Sequence, residues 1–334
     1  MDLPSELFVN LIYFLSVDDL VLFRVVAKEY REVVKQYEGL SKEYVYPNSL
    51  SGCFESFPCI KALDATKCEV KATDFQKFGR LEELKVSTRP LETEDIFLSC
   101  PHLTSLQLVN HYIRPDIDTN LVFKGLNRLK KLHLIDLIYI TDHALLYLPL
   151  LEELELWDRC GITGTGLQYL KRLKRLSIET SLNSEASLIQ DDDLMGLPIR
   201  QLRLVDNNVL TDQGILHLTQ LKKLVCVDCP QIQGVGFTAL TSLQTVAFGD
   251  SVIHDVSCFS NIKNLTFKDC QIYGNLKCTW QYLEKLQFLG TTFRYPLSIQ
   301  LMTAPKLKQL AYENCHQLKE EALRKTFGAR LFPL

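Results

Sequence analysis

The chain has 334 residues, 46% of them hydrophobic, and a formal net charge of −3 at pH 7. No global positive field draws it to nucleic acid or an anionic membrane, so neither is expected as a partner and recognition falls to local surface. No run of about 18 uncharged apolar residues occurs, and Asp2 and Glu6 stand where a signal peptide wants basic residues, which reads as a soluble protein of the cytoplasm or nucleus.

Residues 1–40 show helical periodicity. Pro4 suits a first turn, Glu6 complements the helix dipole, and Leu7, Leu11, Phe14 and Leu15 make one stripe, while Phe8, Val9, Ile12 and Tyr13 are also apolar. A second helix is expected from Asp18 and Asp19 through Leu20, Phe23 and Val26, and a third carries Tyr30, Val33, Val34 and Tyr37. Segments below about 40 residues hide little apolar surface by themselves. The surplus either docks on a second protein or caps the apolar edge of whatever follows.

The pattern Leu3-Pro4-x-Glu6-Leu7, then Leu11-Ile12, Phe14-Leu15, Asp19-Leu20 and Val26-x-Lys28-x-Tyr30, resembles the F-box, the motif that binds the Skp adaptor of cullin-based ubiquitin ligases. It departs from the usual residues at Leu11, Ala27 and Tyr30. The resemblance implies an adaptor-binding set of Leu3, Pro4, Glu6, Leu7, Leu11, Ile12, Leu15, Asp19, Leu20, Val26, Lys28 and Tyr30, and a cullin scaffold reached through the adaptor. Residues 41–57, with Tyr44, Tyr46, Pro47, Gly52 and Phe54, have no period and read as a linker.

From residue 58 to 334 one unit recurs. Its signature is L-x-x-L-x-L, as at Leu151-Leu154-Leu156, and it can be laid at twelve places from Ile60-Leu63-Ala65 to Leu307-Leu310-Tyr312. Leu129, Leu151 and Leu173 follow one another at 22 residues, the leucine-rich-repeat period, whereas Leu103 to Leu129 and Leu173 to Ile199 are 26 and must loop out extra chain. The fold class expected is α/β: a leucine-rich-repeat solenoid, a horseshoe of about twelve repeats with a parallel concave sheet and a C-terminal cap, preceded by a three-helix F-box. Thr141-Asp142 and Thr211-Asp212 would cap short helices over His143 to Leu148 and Gly214 to Leu218, and Gly166 to Leu170 reads as another. After Val252 the units shorten, leaving less room for helix, and Glu320 to Phe327 would form the amphipathic cap.

An F-box followed by such repeats resembles the F-box/leucine-rich-repeat substrate receptors, and Ile140-Thr-Asp142, Leu210-Thr-Asp212-x-Gly-Ile215 and the ninth-place Cys68, Cys229, Cys270 and Cys315 resemble their cysteine-containing subtype. The eleven cysteines mostly occupy repeat positions filled elsewhere by small or apolar residues, so free thiols in a reducing compartment are expected.

Side chains around the two later leucines point outward onto the concave face. The first outward position after the signature reads Val109, Ile135, Trp157, Glu179, Val205, Val227, Gly249 and Lys268 from the third to the tenth unit, an apolar run suited to a binding hot spot. Beside it lie His133, Glu155, Ser177 and Arg203, with Lys131, Glu153, Arg175 and Lys223 one column earlier, a rim of alternating sign suited to a protein or peptide. The expected substrate-binding set is Val109, His133, Ile135, Glu155, Trp157, Glu179, Arg203, Val205, Val227 and Lys268. The alternative is that 181–193 or 331–334 folds over this face.

Asp136, Asp158, Asp206, Asp228, Asp250 and Asp269 share the next position; turn chemistry is the favoured reading and a cation site the other. Cys226-x-x-Cys229 lacks the second pair of a zinc site, Gly161-x-x-Gly164-x-Gly166 lacks a phosphate-loop lysine, and no G-x-S-x-G occurs, so neither catalysis nor a cofactor nor a metal is expected. The expected function is that of the substrate-recognition subunit of an SCF-type E3 ubiquitin ligase holding an unknown protein. The alternatives are a non-degradative scaffold or inhibitor, or the same mechanism in a microbial effector.

Overall fold

A computed structural model describes residues 44–45, 60–67, 70, 73–74, 76, 79–87, 96–109, 118–180, 189–273, 278–294, 303–315 and 320–327. The helices expected over 1–40, with every adaptor-binding residue from Leu3 to Tyr30, lie outside the described residues, as do Cys68, 181–188 and 331–334. The chain divides into two compact units, 1–151 and 152–334.

In the first unit, β1 (Tyr44–Val45), β2 (Ala62–Ala65), β3 (Glu83–Ser87), β4 (Ser105–Val109) and β5 (Lys131–Ile135) pair in chain order, all parallel. Leu63, Leu84, Leu106 and Leu132 stand in register, as do Ala65, Val86, Leu108 and Leu134, and all eight are buried. Period-two alternation sends these side chains to one face and their neighbours to the other.

The second unit continues the plan with β6 (Glu153–Trp157), β7 (Arg175–Glu179), β8 (Gln201–Val205), β9 (Lys223–Val227) and β10 (Thr245–Gly249). After β11 (Val252–Ile253) come β12 (Asn264–Lys268), β13 (Gln271–Ile272), β14 (Lys285–Leu289), β15 (Thr292–Phe293) and β16 (Gln309–Glu313). Strands β6 to β10, β12, β14 and β16 pair successively in parallel, whereas β11, β13 and β15 form a second, three-stranded parallel sheet.

At the entries of β3 to β5, β7 to β10, β12, β14 and β16 one carbonyl accepts two backbone N–H groups of the next turn, as Glu152 O does from Lys174 and Arg175 at 2.8 and 3.0 Å, and Lys174 O from Arg200 and Gln201 at 2.8 and 3.0 Å. The same fork recurs at Arg200, Lys222, Gln244, Lys263 and Glu284.

The short helices α1 (Asp142–Leu145), α2 (Gly164–Leu167) and α3 (Asp212–Leu216) begin earlier and end sooner than expected. Thr163 and Thr211 cap α2 and α3 by accepting from Thr165 N and Gln213 N. Each helix then closes in a three-residue turn, such as Leu170 N to Leu167 O and Leu218 N to Ile215 O, which the apolar spacing cannot distinguish from α-helix. Thr141 precedes α1 without a side-chain cap; its hydroxyl donates instead to Asn120 Oδ1 at 2.9 Å.

The expected thinning after Val252 is present, with a three-residue 3-10 turn at Ser257–Phe259 and the unforeseen second sheet in place of helix. There the inward column changes from leucine to phenylalanine. Phe248, Phe267 and Phe288 stack with centroids 6.2 and 5.7 Å apart, and Phe259 and Phe293 meet them edge-on or tilted, filling the volume a helix would occupy. The C-terminal helix is α4 (Glu320–Phe327), with Leu323 buried. Among the described residues no helix is long and apolar enough to cross a membrane.

Phe267 is fully buried and touches rings on both sides. Phe267→Ala is expected to cost about 3–5 kcal/mol and Phe267→Leu much less, read from denaturant midpoints; a loss below about 1 kcal/mol for the alanine variant would contradict this packing.

Candidate protein-binding face

On the side of the sheet away from the leucine columns the strands show three outward columns, open among the described residues; whether 181–188 or 331–334 folds over them lies outside the described residues. In the first unit Val109 and Ile135 are register partners, as are Gln107 and His133, and all four are half-buried. In the second unit the last outward column runs Trp157, Glu179, Val205, Val227, Gly249, Lys268, as the spacing implied. Trp157, Val205 and Val227 are half-buried, Lys268 is exposed, and the middle column contributes half-buried Val225 and Ala247 beside the valines.

The polar residues at one end interlock. Arg203 Nη1 lies 2.7 Å from Glu179 Oε2, Lys174 Nζ lies 2.7 Å from Glu152, and Arg175 pairs with Glu153. Glu153, Glu155, Arg175, Ser177, Arg203 and Lys223 line a shallow recess of about 170 Å³ floored by Leu154, Leu176 and Leu202. Burial, and then Glu153, pushes the Glu155 carboxyl above its ordinary value, with Arg203 pulling the other way. The one acidic member of the apolar row, Glu179, is thus neutralised by a neighbouring strand. Sequence spacing alone did not show that pairing, because it depends on register across the long step from Leu173 to Ile199.

The aspartate row is built by backbone conformation. Asp136, Asp158, Asp206, Asp228, Asp250 and Asp269 have φ between 47° and 59°, the left-handed region, where each chain leaves its strand. Gly290 (φ 62°) and Asn314 (φ 53°) take the same place in the last two units. Thr180 takes it in the unit carrying the 181–188 insertion, and there its hydroxyl donates to Asp206 O instead. Among the described residues no group of three His, Cys, Asp or Glu side chains is placed to hold a metal ion.

One position further, a buried side chain stitches successive turns. Ser251 donates to Gly249 O at 2.6 Å; Cys270, Thr291 and Cys315 each donate to the carbonyl two residues back and to one on the preceding strand. Asn207 holds the column by accepting from Val209 N and Leu210 N. Cysteine there is therefore a small buried donor, and burial pushes the Cys270 thiol up to about 11. All described cysteines are free. Asn207 was missed by sequence reasoning, although its ninth place in the unit is the signal that marks it.

No protein-family model matches the chain. Among solved structures it is similar to TLR13 in complex with ssRNA13, with TM-score 0.52 and 20% identity over 90% of this chain and 51% of that one. It is also similar to Toll in the Toll–Spatzle complex of Drosophila, with TM-score 0.51 and 15% identity over 78% of this chain and 37% of that one. An internalin of Listeria monocytogenes, InlF, matches with TM-score 0.49 and 16% identity over 86% of this chain and 96% of that one. The chain thus spans about half of the TLR13 chain and a smaller share of the Toll chain. The fold is a leucine-rich-repeat solenoid.

Glu155 gives a pH test. A carboxyl raised in the folded state holds a proton that the unfolded chain releases, so stability is fully present below the ordinary value of 4.5 and falls as pH rises through the folded value. Glu155→Gln should therefore gain stability over the wild type as pH increases between about 4 and 8, measured as denaturation midpoints. A difference independent of pH would contradict the burial of this carboxyl.

Proposed function

We propose that the chain is the substrate-recognition subunit of an SCF-type E3 ubiquitin ligase. A leucine-rich-repeat fold suits a protein-interaction scaffold, since stacked units offer an extended binding surface. The observation that carries the finer reading is the coupling, in one chain, of the F-box-like residues Leu3 to Tyr30 to repeats whose outward row Trp157, Val205 and Val227 is half-buried and bordered by charge. Residues 1–40 dock on a Skp-type adaptor and through it on a cullin. The open face of the repeats holds a target protein. Other subunits transfer ubiquitin, so this chain supplies proximity and orientation. Such a ligase works in the cytoplasm or nucleus. A scaffold without adaptor binding is the second reading, and the fold likeness alone suffices for it.

Leu3→Ala with Pro4→Ala is expected to reduce co-purification of the adaptor about tenfold or more, with the circular dichroism of the repeats unchanged. Undiminished co-purification removes the ligase reading and leaves the scaffold. Trp157→Ala with Val205→Asp is expected to change the set of proteins captured by the full chain, both positions being on the outward column and outside the leucine core. An identical set would move target binding off this face.

A further inference from the structure

The aspartate row raises a question that turn chemistry answers only in part. A left-handed residue is required where each chain leaves its strand, but Gly290 and Asn314 meet that requirement in this same chain without charge. Asp206, Asp228, Asp250 and Asp269 nevertheless place four carboxylates on adjacent turns of the second unit. Among the described residues no ion pair or side-chain hydrogen bond holds them. Burial, and then Asp228, Glu179 and Asp250, raise the Asp206 carboxyl. Each of these aspartates directly follows the last outward residue of its strand, Val205, Val227, Gly249 and Lys268, so the row borders the outward column. Asp269 leans across the next turn, its Oδ1 occupying the space where a Cβ on Gly290 would sit.

Directly beside these carboxylates lies the least polar part of that face. Val205, Val225, Val227 and Ala247, with the bare backbone of Gly249, form a small apolar floor, closed at one end by the Arg203–Glu179 pair and at the other by exposed Lys268. The arrangement is an apolar strip with one acidic border that no described residue pairs with.

We propose that this strip takes an extended basic segment of a partner protein, with arginine or lysine side chains meeting Asp206, Asp228, Asp250 and Asp269 and the intervening apolar side chains resting on Val205, Val227 and Ala247. The spacing suits it: four carboxylates on adjacent strands span about 14 Å, and three side chains at alternate positions of an extended peptide span about the same. The charged contacts steer and orient the segment, and the apolar contacts hold it. This inference rests on the reading of the open face as the place where a target protein is held, and adds the chemistry of the segment recognised.

The test uses the purified full chain and two fluorescent heptapeptides: one with three arginines alternating with two leucines between terminal glycines, and its counterpart with glutamate for arginine. By fluorescence anisotropy at low salt the arginine peptide is expected to bind about tenfold or more tighter than the glutamate peptide, and to weaken as salt rises. D206N, D228N and D250N combined keep a residue that this chain itself uses in the left-handed turn, so the fold survives while the preference collapses. V205S with V227S weakens the arginine peptide and leaves the sign of the preference. Equal binding of the two peptides by the wild type, or a preference unchanged in the triple variant, overturns the proposal. If that happens while Trp157→Ala with Val205→Asp still changes the captured proteins, the protein-binding face stands without its basic specificity; if neither responds, both readings fall.

Discussion

The structure depends on a fork of hydrogen bonds: at the mouths of ten strands of the main ladder, β3 to β5, β7 to β10, β12, β14 and β16, one backbone carbonyl accepts from two consecutive amides of the following turn, as Glu152 does from Lys174 and Arg175. That fork fixes where each turn begins relative to the last. With the starting point fixed, the second leucine of successive signatures within each unit falls in one column and the third in another, and both are removed from water as far as β14, while Leu310 and Tyr312 of the last signature are half-buried. A fully buried leucine contributes about 1.5–3 kcal/mol on area grounds. The columns are therefore a consequence of backbone geometry, and the apolar side chains stabilise the register the backbone sets. Length differences between units must then be absorbed on the far side of each turn. The step from Leu173 to Ile199 does this without disturbing the pairing of Ser177 with Arg203 or Glu179 with Val205.

The same constraint explains what could be read in the sequence. Inward leucines and outward neighbours were legible because a five-residue strand has a period of two and the unit recurs near 22 residues. The left-handed aspartates were legible as turn residues, since few side chains tolerate that backbone. Less visible were features that exist only between units. The Arg203–Glu179 pair joins residues 24 apart, and nothing in either segment marks the other. The second sheet is made of strands two residues long, too short to carry a period. The phenylalanine stack becomes intelligible only when Phe248, Phe267 and Phe288 are seen on successive strands with Phe259 and Phe293 wedged against them. Helix ends were misjudged for a local reason, because a closing three-residue turn keeps the apolar spacing of the α-helix it follows.

On the open face of the second unit the electrostatics divide in two. Toward β6 and β7 opposite charges interlock, with Glu153 on Arg175 and Glu179 on Arg203, so that end presents a largely neutralised polar surface. Along β8 to β12 the acidic row has no such compensation among the described residues, and the valines beside it are only half covered. Surface pairs contribute little to stability, about 0–1 kcal/mol each, so neither half is explained by folding energetics alone. The proposal gives this asymmetry a role in recognition: a partner would find apolar contact and acidic charge together at one end, and a polar wall at the other. The proposed ligase reading gives this face to the target protein and the F-box-like residues Leu3 to Tyr30 to the adaptor.

The central claim is that a partner protein covers this open face, and carboxyl footprinting reads it most directly. The full chain, alone and with its captured partner, is labelled with a water-soluble carbodiimide and an amine, and the modified carboxylates are mapped by mass spectrometry. The account expects Asp206, Asp228 and Asp250 to be labelled in the free chain and shielded in the complex, while Asp192, exposed away from the sheet, is labelled equally in both. Shielding at Asp192 with the aspartate row still fully labelled would contradict it.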